Sequence, residues 1–184
     1  MKKYLLGILC CLPLSLFAAE YNPNNFTAKQ KDIAISKLTS IQKYVTQDNG
    51  TERSGSGEFY NNFKKGIYVD VVSGQPLFSS SDKYQADTGW PAFTKPITSN
   101  AIKIVKTHGW FGEKYEVQSS LAKSHLGDKF SDRYITNPPS DGKVTESNIS
   151  KPLPRYCIDS AALRFIPLDK MKKDGYSKYI KYVK

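Results

Sequence analysis

The spacing of apolar residues changes character near residue 66. Between Thr27 and Tyr44, Ile33, Leu38 and Ile41, with Val45 just beyond, fall at irregular intervals of three to five. With Thr27 as a cap, that spacing predicts a helix or a pair of short helical turns. From Gly66 onward the texture is that of strands. GIYVDVVSG is a β-branched run ended by Ser73 and Gly74, and AIKIVKT alternates apolar and polar residues as a half-buried strand does. KYEVQSSL and RYCIDSAALRFI read alike, with glycine, proline and serine clusters between the runs. No internal repeat is present. The pattern predicts a mainly β, antiparallel domain with a short helical N-terminal segment, and Cys157 on or beside a strand.

Residues 1–19 follow neither pattern. Lys2 and Lys3 precede an apolar run from Leu5 to Phe17, and Ala18 and Ala19 close it before the polar segment opening at Glu20. This is the layout of a secretory signal peptide. The run is broken by Pro13 and too short to span a bilayer core of about 30 Å, so no stable membrane anchor is expected. Cleavage after Ala18 or Ala19 sends the mature chain to the periplasm or the medium. Cys10 and Cys11 leave with the leader, and Leu9 is a poor small-residue neighbour for a lipid anchor on Cys10.

Residues 20–184 suit a single domain, with a core over about 38–168 and a basic tail over 169–184, acting as a monomer. The 27 Lys and Arg, less Lys2 and Lys3, stand against 17 Asp and Glu, leaving a mature balance of +8. Six of the lysines lie in the tail from Asp169 to Lys184. A solvated surface accounts for such a tail, and no nucleic-acid partner is expected. Tyr176, Tyr179 and Tyr182 recur every third residue there, which predicts a short element docked on the body rather than a free arm.

Cys157 is then the sole cysteine of the mature chain, and no internal disulfide is possible. Arg155 is two residues before it, so on an extended strand the two side chains share a face, about 7 Å apart. A guanidinium at that range favours thiolate over thiol. The bare alternative for a lone cysteine is a buried structural thiol.

Three blocks decide between these readings. GTERSGSGEFYNNFKKGIYVDVVSGQPLFSSSDKYQADTGWPAFTKPI, then EVQSSLAKSHLGDKF, then RYCIDSAALRFIP resemble, in order, the signature blocks of the B-type methionine sulfoxide reductases. The resemblance runs from about Leu38 to the C-terminus. It implies a fold of antiparallel sheets with the site on one sheet face, and reduction of methionine-R-sulfoxide, free or in proteins. Cys157 matches the family's nucleophile, whose thiolate attacks the sulfoxide sulfur and is left as a sulfenic acid. Arg155 matches the arginine that holds the thiolate. Trp90 matches the tryptophan against which the substrate methyl packs, and Phe130, which closes the HLGDKF block, joins it as a substrate-facing residue. His125 matches the first of the family's two site histidines.

The chain departs from that pattern at several positions. Where the family reads H-L-G-H-x-F, this chain reads HLGDKF, placing Asp128 at the second histidine; R-Y-C-x-N has become RYCID, placing Asp159 at the asparagine. Two ionised carboxylates raise a neighbouring thiol's pKa, whereas a shared proton lets one act as the acid that histidine supplies elsewhere. His125 alone is a third option. The family's two zinc-binding C-x-x-C pairs correspond to Asp70 with Ser73 and Ser119 with Ala122, which leaves no zinc site. The usual resolving cysteine corresponds to Thr88, so an external reductant, a small thiol or a thioredoxin-like protein, is expected to attack the Cys157 sulfenic acid directly, with no bound cofactor. The segment 131–154 exceeds the family's turn by about a dozen residues and reads as a loop. His108 and Trp110 read as a surface histidine and a packed aromatic. Besides the reductase, the residues allow a non-catalytic module that binds methionine sulfoxide or a protein, and a thiol protein with a changed substrate.

Overall fold

The computed structural model describes residues 19–109, 112–131 and 154–184. The leader, Trp110 and the bulk of the long segment before Arg155 lie outside the described residues.

The helical segment forms two helices, α1 (Ala28–Ser36) and α2 (Ser40–Asp48). Each begins with a capping box. Thr27 accepts from the Gln30 N–H while the Gln30 side chain accepts from the Thr27 N–H, and Thr39 and Gln42 repeat the exchange. The second cap interrupts the run at Thr39, which explains the irregular apolar spacing. Helix α1 buries no residue fully, whereas α2 inserts Val45 into the core and ends on Asn49 in the left-handed region, φ 56°.

Among the described residues the strands form two antiparallel sheets. β1 (Gly66–Asp70) lies between β2 (Pro76–Ser79) and β9 (Leu163–Pro167). The larger sheet contains β3 (Lys83–Tyr84), β4 (Ala92–Phe93), β5 (Ile102–Gly109), β6 (Gly112–Ser119), β7 (His125–Phe130) and β8 (Arg155–Ile158). Its order is β3-β4-β8-β7-β6-β5. RYCIDSAALRFI is thus two strands in different sheets, joined by a single 3-10 turn at Ser160–Ala162.

The sheets face each other across an aromatic core. Tyr68, Leu77 and Phe78 from the smaller sheet meet Phe93, Val117, Leu126 and Ile158 from the larger, with Phe78 stacked on Phe93 at 4.4 Å and Tyr68 edge-on to Phe93 at 5.1 Å. The opposite face of the smaller sheet is covered too. Ile67, Val69 and Ile166 pack against Met171 and Tyr176, with Tyr21, Tyr179 and Tyr182 around them. Burial on both faces is why β1 reads as a continuous β-branched run rather than an alternation. The tyrosine-rich tail docks as a 3-10 helix, Ser177–Tyr182, in keeping with its three-residue period. Its lysines 170, 172, 173, 178, 181 and 184 face solvent. Among the described residues no helix is long and apolar enough to cross a membrane.

The positions aligned with the family's zinc cysteines do converge. Asp70 is fully buried, and its carboxylate accepts from the Ser73 hydroxyl at 2.7 Å, the Val72 N–H at 3.0 Å and the Ser124 hydroxyl at 3.4 Å, with Ser119 beside it. One carboxylate, hydroxyls and the Ala122 methyl do not make a tetrahedral zinc set. The polar knot instead ties the β1–β2 turn to the β6–β7 turn. Asp70→Ala strands these donors in the interior and is expected to cost about 2–3 kcal/mol, read from urea unfolding. Burial pushes the Asp70 carboxyl upward. Its folded value lies above its unfolded one, so its contribution is full in acid and declines as pH rises through the folded value. The stability gap between wild type and Asp70→Asn should therefore narrow as pH rises above the ordinary carboxylate range.

Candidate active site

Strand β8 carries Cys157 into the middle of the larger sheet. Its register sets Cys157 opposite Asp128 on β7 and opposite Ala92 on β4, while Arg155 pairs with Phe130. Directly paired residues project to one side of a sheet, so Cys157, Arg155, Asp128 and Phe130 share a face, with Tyr156 and Ile158 turned to the core.

The approach of β7 to the thiol strand depends on one glycine. Gly127 has φ 141°, and a Cβ there would run into the Cys157 carbonyl. Only glycine meets both conditions. Beside it the β6–β7 register shifts between Val117 and Gln118, and this bulge re-aims the next side chain along β7. His125 is turned to Glu116, with Nδ1 and Oε1 at 2.8 Å and both groups buried.

A cleft of about 120 Å³ opens over the sulfur, walled by Thr51, Trp90, Gly127, Asp128, Phe130, Cys157 and Asp159. Five of the seven residues expected at the site line it: Cys157, Asp128, Asp159, Trp90 and Phe130. Arg155 stands at its edge, the guanidinium carbon 4.3 Å above the Phe130 ring and the side chain within hydrogen-bonding reach of the sulfur. His125 is not among the lining residues; the structure places it behind Asp128 with Glu116.

The two aspartates occupy different environments. Asp128 is ion-paired with Lys114 at 2.9 Å, at the solvent edge. Asp159 is 3 % exposed, and its Oδ1 accepts the Glu52 N–H at 2.8 Å. Burial pushes its carboxyl up to about 7, and the Glu52 and Asp128 charges push the same way against that hydrogen bond.

Four influences meet at Cys157. Burial raises the thiol and is the largest; the Thr88 hydroxyl, 3.7 Å from the sulfur, and Arg155 lower it; Asp159 raises it. The net direction is upward. Arg155 acts in the expected direction, favouring the thiolate, but desolvation outweighs the guanidinium.

Sequence reasoning did not find Thr51, Glu52, Glu116 or Lys114. Lys114 and Glu116 alternate on the site face of β6, a signal legible only once the register with Asp128 is known. Thr51 and Glu52 lie on irregular chain, where periodicity carries no information. Thr88, which corresponds to the family's resolving cysteine, places its hydroxyl 3.7 Å from the Cys157 sulfur. His108 is exposed on the β5–β6 hairpin.

Alkylation of Cys157 by iodoacetamide, followed against pH, is expected to show a midpoint above the ordinary thiol value. Arg155→Ala should move that midpoint higher and Asp159→Asn lower; the opposite order would show that the charges around the sulfur are not those described.

The arrangement, a lone thiol at the floor of a small cleft with an aromatic wall and a buried acid, suits a reaction at a small polar group carried on an apolar stem. Residues 38–167 match the SelR domain. That domain defines the B-type methionine sulfoxide reductases, whose general activity is reduction of methionine-R-sulfoxide, and this chain belongs to that family.

Proposed function

We propose that the protein reduces methionine-R-sulfoxide through Cys157, with Asp159 supplying the proton that a histidine supplies in most relatives. The observation that carries this reading is the placing of the Cys157 sulfur, the buried Asp159 carboxyl and the Trp90 ring on one cleft of about 120 Å³. The methyl and side-chain stem of the substrate pack on Trp90 and Phe130, and the polar S–O group turns toward Asp159. A carboxyl held up to about 7 is half protonated at neutral pH and suits general acid work. Asp128 fits the role less well, because its carboxyl group is turned to Lys114 at the solvent edge of the cleft.

In the proposed step the Cys157 sulfur attacks the sulfoxide sulfur as Asp159 donates its proton to the oxygen. The thiol proton returns to the Asp159 carboxylate. The hydroxyl then passes from the substrate sulfur to the Cys157 sulfur: a Cys157 S–O bond forms as the substrate's S–O bond and the transient sulfur–sulfur bond break, methionine leaves as the reduced thioether, and Cys157 is left as a sulfenic acid. One external thiol converts the sulfenic acid to a mixed disulfide and water. A second releases Cys157 and departs as the oxidised disulfide. Thr88, which offers no sulfur, supports reliance on an outside reductant. The leader-like residues 1–19 support work in the periplasm or medium, on free methionine sulfoxide or on oxidised proteins.

The deciding experiment is turnover of R- and S-methionine sulfoxide, free and in a peptide, with dithiothreitol, alongside Cys157→Ser. R-selective loss of sulfoxide that disappears in the serine variant is expected. Activity equal to the serine control from a folded protein would leave a non-catalytic binding module as the better reading. The rate should fall as pH rises through about 7, and Asp159→Asn should lower kcat by roughly 10²-fold or more. Thr88→Cys places a second thiol beside the sulfur and should trap an intramolecular disulfide after one turnover, visible as loss of free thiol by mass spectrometry.

A further inference from the structure

Glu52 is an acid buried on irregular chain, 5 % exposed, and far in sequence from its hydrogen-bond partners. Four hydrogen bonds converge on it. Its carboxylate accepts the Ser160 N–H at Oε1, 2.6 Å, and the Ala161 N–H at Oε2, 2.9 Å. Its own N–H donates to Asp159 Oδ1 at 2.8 Å, and its carbonyl accepts from Trp90 Nε1 at 3.1 Å. The first two bonds cap the 3-10 turn that follows Asp159, a turn for which the Asp159 side chain makes no capping bond. The other two reach the acid and the aromatic wall of the cleft.

We infer that Glu52 is the positioning residue of this site, holding the Asp159 carboxyl and the Trp90 ring in one frame above Cys157. The inference rests on the reading of Asp159 as the proton donor. No single neighbour replaces it, because the two main-chain bonds fix where residue 52 stands relative to the cleft while the two carboxylate bonds fix where the turn stands relative to residue 52. A capping carboxylate alone would be structural. Here the same charge lies against Asp159 and opposes its ionisation, together with Asp128 from β7, while the thiol of β8 adjoins it. Glu52 thereby fixes the position of the acid, and its charge adds to the burial that keeps the proton there, against the lowering effect of its own N–H.

Glu52→Gln keeps the shape, removes the charge and leaves both main-chain bonds possible. In this variant the Asp159 carboxyl, followed by carbon-13 NMR and assigned with Asp159→Asn, is expected to titrate roughly one pH unit lower than in the wild type. The alkaline fall of kcat should move with it, with kcat down about tenfold at neutral pH and KM within about twofold. A folded Glu52→Gln whose Asp159 titration is unmoved overturns the inference, whatever its melting temperature. Should that variant not fold, Glu52→Asp supplies the test. One methylene shorter, it keeps the charge but cannot hold both N–H groups, so kcat should drop at least fivefold with the Asp159 titration close to wild type; a wild-type kcat overturns the inference. If the wild-type protein proves inactive on sulfoxides, the reading of the site fails but the titration of Asp159 in Glu52→Gln still decides the role of Glu52.

Discussion

The structure depends on how the chain leaves one sheet for the other directly after its thiol. Strand β8 ends at Ile158 and β9 begins at Leu163 in a different sheet, so the three residues of the intervening 3-10 turn must bury main-chain N–H groups where neither sheet can pair them. An unmade hydrogen bond in such a place costs about 1–3 kcal/mol. The carboxylate of Glu52 meets two of those donors, and the Ser160 hydroxyl accepts the Phe59 N–H in return. Sheet packing, the position of Asp159 and the depth of the cleft all follow from satisfying that corner.

Charge at the site is a balance in which burial dominates. A guanidinium and a hydroxyl favour the Cys157 thiolate, yet the low-dielectric floor of the cleft and the nearby Asp159 favour the thiol. The same desolvation that disfavours the nucleophile's anion keeps a proton on the acid. In the proposed step a neutral thiol and a protonated carboxyl exchange a proton without net charge being buried, which is the cheaper arrangement in an enclosed site. Exchanging a histidine and an asparagine for two aspartates thus need not empty the site of proton chemistry. On the proposed reading the proton is carried by the buried Asp159, while Asp128 is ion-paired with Lys114 at the rim.

Much of the fold was legible from the chain. The β-branched runs located β1, β5, β6 and the β8–β9 pair, and the tyrosine period in the tail announced a docked element. The division of RYCIDSAALRFI between two sheets was not legible, since a 3-10 turn at Ser160–Ala162 leaves the apolar texture unbroken. Among site residues, Cys157, Asp128, Asp159, Trp90 and Phe130 fell on one cleft as the motif order implied. The bulge at Leu126 keeps His125 on the face of Asp128, but its ring pairs with the buried Glu116 rather than lining the cleft, a pairing no local pattern announces. Glu52 was out of reach altogether: its role is defined by partners more than a hundred residues later, and no local pattern encodes such a distance.

The docked tail carries a consequence for how the molecule is made. Met171 and Tyr176 complete the second hydrophobic core, and the two ends of the described chain are tied together where the Tyr21 N–H meets the Gly175 carbonyl and Glu20 accepts the Lys178 N–H. The segment from Met171 to Val183 is therefore what covers the outer face of the small sheet. Until it docks, β1, β2 and β9 have one side bare. The segment acts as a clasp, and the second core closes only when it meets residues about a hundred positions earlier in the chain.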